Sequence, residues 1–186
     1  MYYKTVLNIE NISKSLNNKI LDKEGRMIFL KVNDYYVFNF YTPNGNMNDE
    51  RLAYKQSYYN EILKLAKKLK KENKKVIIIG DLNVAHTPLD LFYKQARTSG
   101  YLPQERDWFS NMLKAGYIDT FRMFNKEGDN YSWWNLRDPM RLQNQGWRFD
   151  YILVSENIKD EVKAAGISKE VFGSDHCPVW VEIAQT

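Results

Sequence analysis

The sequence predicts an α/β protein in which layers of helix pack on mixed or antiparallel sheet. Three features of its patterning lead there: strand-like runs outnumber helical ones, several connections are short, and the helices are few and long. A doubly wound parallel sheet would instead alternate strand and helix along the chain. Pattern alone leaves α/β and α+β both open.

"MIFLKVN" and "YYVFNFYT" are β-branched and aromatic runs joined at Asn33-Asp34, a hairpin signal, and Pro43 and Gly45 stop the second run. From about Asp49 to Asn73 the period becomes helical, with Tyr59, Ile62, Leu63, Ala66 and Leu69 on one face. Lys64, Lys67, Lys68, Lys70 and Lys71 crowd the last turns, where cations suit the helix dipole, and read as a solvated face. "KVIIIG" is short, continuous and β-branched, which predicts a strand buried on both faces. Pro103 opens a second helix, "PQERDWFSNMLKAG", with Gly116 at its end. "YSWW", "FDYILVS" and "HCPVWVEI" are three further strand candidates.

At 186 residues the chain is expected to form a single domain, residues 1–186, and to bury a real core. Hydrophobic residues make up 44%, with 5 Trp, 13 Tyr and 9 Phe, which excludes an intrinsically disordered chain. The formal net charge of +4 favours polyanionic partners without demanding them. One cysteine, Cys177, rules out an internal disulfide and fits a reducing compartment. "MYYKTVLNIENISKSL" has no apolar signal core, and no apolar run approaches the about 20 residues of a membrane helix. A cytoplasmic protein with no membrane partner is the expectation.

In "IIIGDLNVAH", Asp81 and Asn83 emerge where a strand ends, a common place for active sites in layered folds and equally for a simple Asx-turn. "GSDHCPVWVEI" places Asp175 and His176 at the mouth of another strand, and Asp150 begins "DYILVS". A carboxylate that accepts a hydrogen bond from imidazole fixes its tautomer and raises its basicity, so Asp150 and His176 are a candidate pair. Asp81 and Asp175 would then be further acids at the same place. Carboxylates with Asn and His, and no cysteine cluster, suit a hard cation such as Mg²⁺ rather than structural zinc. Such a site implies a phosphate ester as substrate. No G-x-S-x-G elbow, Walker A or G-x-G-x-x-G stretch is present, and Cys177 is a poor nucleophile candidate beside His176. "YSWWNLRDPMRLQNQGWRFD" mixes Trp133, Trp134 and Trp147 with Arg137, Arg141 and Arg148, as a nucleic-acid surface would and as a core with surface arginines would too.

Together these stretches resemble exodeoxyribonuclease III and the apurinic/apyrimidinic (AP) endonucleases of the endonuclease/exonuclease/phosphatase superfamily. The matching runs are "DKEGRMIFLKV", "FYTPNG", "GDLNVAH", "GYLPQERDWFSNML", "GYIDTFR", "YSWWNLR", "GWRFDYILVS" and "GSDHCPVW", in the family's order from about residue 22 onward. The resemblance implies a four-layer α/β/β/α sandwich and a Mg²⁺-dependent phosphodiesterase, with Mn²⁺ as the alternative ion, acting on double-stranded DNA at abasic sites. It implies 3′-5′ exonuclease and 3′-phosphatase activities as well. Asp81 would be the acid/base, Asn83 would orient the nucleophile, and His176, held by Asp150, would contact the scissile phosphate. Asp175 would be a metal ligand, with Asp81, Asn83 and His176 ligands of a second ion. Tyr41 and Asn44 would position the phosphate, Trp147 would line a pocket for the extruded sugar, and Trp133, Arg137 and Arg141 would face DNA. The family's opening "NWNVNG"-like and "QE" motifs, the second carrying a metal-binding Glu, do not occur here. The resemblance implies a chain lacking that N-terminal segment, and three origins stay open: one half of a split enzyme that a separate fragment completes, a truncated chain, or a degenerate homologue. The alternatives are an inactive DNA- or partner-binding subunit, or another phosphoesterase of the superfamily.

Overall fold

The computed structural model describes residues 9–136 and 140–184. Ile9–Ser13 (β1) lies antiparallel on Met27–Val32 (β2), which forms the expected hairpin with Tyr35–Tyr41 (β3). Asn33 supplies its left-handed turn residue at φ 52°. Asp49–Lys71 (α1) starts at Asn48, whose side chain accepts the Arg51 N–H at 2.8 Å and satisfies one orphan donor of the first turn. Then come Lys75–Asp81 (β4), Pro103–Lys114 (α2), Tyr117–Asp119 (β5) and the short helix Thr120–Phe124 (α3). The two-residue strands Trp133–Trp134 (β6) and Gly146–Trp147 (β7) precede Asp150–Ser155 (β8), Val162–Ile167 (β9) and Val179–Ile183 (β10).

The main sheet has six strands in the order β1-β2-β3-β4-β8-β5. Among the described strands only β3 and β4 pair in parallel, and α1 is their crossover. The sheet is mixed, the α/β layout with the endonuclease/exonuclease/phosphatase plan that the sequence suggests. The pleat sends Phe38, Phe40, Val76, Ile78, Tyr151 and Leu153 toward α1 and α2, where Tyr58, Tyr59, Ile62, Trp108, Phe109 and Met112 complete the core. Tyr59 and Trp108 stack with centroids 3.9 Å apart. Each such side chain contributes roughly 1.5–3 kcal/mol by burial. Of the helical face read from sequence, Tyr59, Ile62, Ala66 and Leu69 are buried and Leu63 partly so.

Two expectations need correction. β4 is not buried on both faces: Val76 and Ile78 are buried, while Ile77 and Ile79 are only partly covered. The second layer is the β9–β10 ribbon, which meets Tyr35, Val37, Ile77 and Val154 through Val162, Val181 and Ile183. Ile9, Ile12 and Ile28 of β1 and β2 remain 54%, 67% and 41% exposed. The strand read as "HCPVWVEI" begins only at Val179, because Pro178 has no N–H to give a ladder. His176 makes instead an isolated antiparallel bridge with Trp133.

Gly80 is the one position in β4 where glycine is obligatory. It takes φ +120°, and an added Cβ would stand 2.1 Å from the Phe40 carbonyl oxygen of the neighbouring strand. Gly80→Ala is expected to lower unfolding free energy by about 3 kcal/mol or more, read from the urea midpoint. A shift under about 1 kcal/mol would show that the kink before Asp81 is not needed.

Candidate active site

The site forms where three neighbouring strands of the sheet reach the same end. β3 and β4 run parallel, so Tyr41 and Asp81 finish side by side, and β8 runs back so that Asp150 begins opposite Asp81. The loop before β10 returns beside β6: Trp134 N–H donates to the Asp175 carbonyl and Cys177 N–H to the Ser132 carbonyl, each at 2.9 Å. That short pairing delivers His176 to Asp150, with Nδ1 and Oδ2 2.8 Å apart. Asp81 with Asn83, Asp150, and Asp175 with His176, three stretches far apart in sequence, thus share one place.

Asn83 holds both oxygens of Asp81. Its backbone N–H reaches Oδ1 at 2.8 Å and its Nδ2 reaches Oδ2 at 2.8 Å, while Nδ2 also donates to the Thr42 carbonyl at 3.0 Å. This is an Asx-turn and a site geometry at once, so the two readings of "GDLN" merge. Burial, with the Asp150 carboxylate across the strand pair, pushes Asp81 up to about 7 against the opposing pull of the Asn83 N–H, His176 and Lys55. Burial works against a charged His176, but the hydrogen bond and charge of Asp150, with Asp81 and Asp175 beyond, outweigh it and raise the imidazole. A carboxyl near neutrality beside a histidine that favours its proton is equipped to take and give protons at ordinary pH.

The other expected residues divide. Tyr41 is exposed beside Asp81 with the Arg26 guanidinium over its ring, and Asn44 is exposed with Oδ1 accepting the Asn46 N–H. Trp133 donates its indole N–H to Asp175 Oδ2 at 3.0 Å and stacks on Phe149, which Trp147 also meets. These three rings, with Leu91, Ala96 and Tyr101, wall the site on one side. Arg137 lies outside the described residues. Arg141 is committed inward: its guanidinium lies between Trp134 and Phe172 and donates to the carbonyls of Lys169, Val171 and Ser174. Arg148 is no surface residue either, being buried with Nε on Asp90 and Nη2 on Asp119. Trp134 belongs to a small core with Tyr131 and Cys177, where burial pushes the thiol up to about 11.

Two further groups escape a reading of the sequence. Ser132 is buried, donates to Asp150 Oδ2 at 2.7 Å and accepts the Asp150 N–H at 3.0 Å, fixing the acid that holds His176. Its only signal was its place immediately before the paired tryptophans. Lys55, buried on α1, donates to the Asn83 carbonyl at 2.7 Å, and a lone lysine in a helical pattern carries no signal at all. Among the described residues, no group of three or more His, Cys, Asp or Glu side chains stands close enough to hold a metal ion. The oxygen donors suit a hard divalent cation, yet on their own they do not complete a ligand set.

A model of the endonuclease/exonuclease/phosphatase family matches residues 9–176, and the chain belongs to that family. It is similar to the exodeoxyribonuclease of Bacillus subtilis (strain 168), 42% identical over 161 residues that cover 85% of this chain and 64% of that protein. The DNA-(apurinic or apyrimidinic site) endonuclease of Dictyostelium discoideum is 38% identical over 168 residues, 87% of this chain and 46% of its own. The chain therefore spans about half to two thirds of these relatives. Among solved structures, the 3′ phosphatase NExo from Neisseria, bound to a product DNA hairpin, superposes with TM-score 0.88 at 26% identity, covering 96% of this chain and 72% of that one.

The pairing of Asp150 with His176 has a measurable consequence. A raised histidine stabilises the fold fully below the ordinary value near 6.5, and that contribution is lost as pH rises through the raised value. In Asp150→Asn the His176 titration, followed by NMR of the imidazole, is expected to move downward. An unchanged midpoint would mean that the hydrogen bond is not made.

Proposed function

We propose that the chain carries the catalytic cluster of a DNA phosphodiesterase that cuts the backbone at abasic sites, with 3′-5′ exonuclease and 3′-phosphatase action at the same place. The observation that carries this reading is the convergence of Asp81, Asn83, Asp150 and His176 beside the Trp133–Trp147–Phe149 wall. The names of the relatives, an exodeoxyribonuclease, an AP endonuclease and a 3′ phosphatase with DNA, support it.

The chain's own groups suggest the sequence of events. Asp81, near neutrality, accepts a proton from the attacking water or returns one to the leaving oxygen. Asn83 holds Asp81 in place through its N–H and Nδ2, and its Oδ1 would accept from the attacking water and orient it. His176, with Nδ1 toward Asp150, presents Nε2 to a non-bridging oxygen and shares its charge. Tyr41 and Asn44 at the end of β3 steady the phosphate, and the aromatic wall receives a sugar that carries no base, which explains a preference for abasic sites. Arg141 serves DNA from behind, by holding the loop that carries Asp175.

Members of the family are divalent-metal-dependent nucleases. The ion we propose is Mg²⁺, with Mn²⁺ able to replace it, and it would offset phosphate charge near Asp175; the ligands described here need additions from elsewhere. The half-covered sheet face, with Ile28 and Ile79 short of full burial, and the edge of β10 that lacks a partner among the described residues suit a separate polypeptide segment. We take residues 1–186 as one partial domain that such a segment completes, working in the cytoplasm. Among the described residues, no helix is long and apolar enough to cross a membrane.

The test is cleavage of a duplex with a single abasic site in Mg²⁺, by the chain alone and with the part of the Bacillus subtilis relative that it does not match. Cleavage is expected with the added part and little without it. Asp81→Asn and His176→Asn should each lower the rate by about 10²–10⁴-fold. Hydrolysis of small or lipid phosphoesters with none of abasic DNA, or full activity in both variants, would overturn the reading.

A further inference from the structure

Lys55 stands outside the groups assigned to the reaction, yet its side chain is 0% exposed and one of its bonds enters the site. Its ammonium donates to the Asn83 carbonyl at 2.7 Å, to Glu105 Oε1 at 2.6 Å and to Ser99 Oγ at 3.1 Å. Three N–H donors meet three acceptors, so none is left over for solvent or substrate. A buried ion pair is often no more stabilising than apolar residues of the same volume, so packing alone does not account for it.

Its partner at the site does. Asn83 is held at φ 48°, a left-handed backbone that leaves its N–H and Nδ2 both on Asp81 while its carbonyl points back to α1. The held carbonyl lies in the 83–84 peptide, so the Lys55 bond restrains ψ of Asn83, and a shift of this residue out of its left-handed conformation would disturb both donors on the carboxyl. Glu105 is equally occupied: it accepts from the Gly100 and Leu102 N–H groups and from Ser99 Oγ, which in turn accepts the Gly45 N–H. One buried pair thus ties together the segments around residues 42–45, 81–85 and 99–102.

We propose that Lys55, backed by Glu105, is a positioning residue that sets the Asn83 backbone and through it the orientation of Asp81. It touches neither substrate nor the reacting atoms. Its kinetic consequence rests on the phosphodiesterase reading, whereas its geometric consequence does not.

The experiment pairs Lys55→Met with Glu105→Gln in one chain, which removes the ammonium without leaving a lone buried carboxylate. In an assembly that cuts the abasic duplex, kcat is expected to fall about tenfold or more with KM within about twofold, since one charge-assisted hydrogen bond is lost. In the chain without DNA, the Asn83 side-chain amide signals should shift and exchange faster while circular dichroism is unchanged. In the unmodified chain, a scalar coupling between Lys55 Nζ and the Asn83 carbonyl carbon reads the bond directly and needs no variant. A folded pair variant with unmodified kcat and Asn83 signals, or no coupling in the unmodified chain, would overturn the proposal. If no assembly cuts DNA, the functional reading fails and the Asn83 signals still decide this one.

Discussion

The register of β4 against β8 is the constraint on which the rest of the structure depends. It sets Asp81 opposite Asp150, and like charges facing each other across a strand pair are unfavourable. The surroundings are arranged to manage that conflict. Asp81 is relieved by a rise to about 7, while Asp150 is held by His176 and Ser132. A slip of one residue would turn one acid to the opposite face and dissolve the cluster. Gly80 belongs to the same constraint, since its kink brings Asp81 to the end of the strand at a position where a Cβ would meet the Phe40 carbonyl.

Behind the register lie two buried ionic frames. Lys55 and Glu105 anchor the loop that follows β4, and Arg148 anchors the entry to β8. The Arg148 N–H also donates to the Asp90 carbonyl at 2.7 Å, two residues before Asp150. Burial alone would raise Asp90, but Arg148 and Arg122 bring it down to about 2, so it remains charged and paired throughout the neutral range. Breaking such a pair by removing one partner typically costs about 3–5 kcal/mol. The site therefore sits on elements whose own charges are satisfied, which leaves Asp81 and His176 as groups free to change protonation.

Much of this was legible in the sequence, for identifiable reasons. The hairpin and both long helices follow from period and from Asn33-Asp34 and Pro103, all local signals. Asp81, Asn83, Asp150 and His176 were legible because each follows or opens an apolar strand. What was missed depends on contacts between distant segments. A continuous apolar run such as "KVIIIG" says nothing of how far the next layer extends, so partial cover of Ile77 and Ile79 was hidden. β9, "VKAAGI", is too rich in small residues to announce a strand. Arg141 and Arg148 look alike in sequence beside tryptophans, yet one pins a loop and the other is buried between two aspartates. Composition cannot tell a guanidinium spent on its own chain from one offered to a polyanion.

The most direct measurement of the central claim is the pairing of β4 with β8 in solution, read from interstrand nuclear Overhauser contacts in the isotopically labelled chain. The account predicts contacts that set Asp81 opposite Asp150, Ile79 opposite Ile152 and Ile77 opposite Val154. Contacts that place Asp81 opposite Tyr151 would put the two acids on different faces and contradict it.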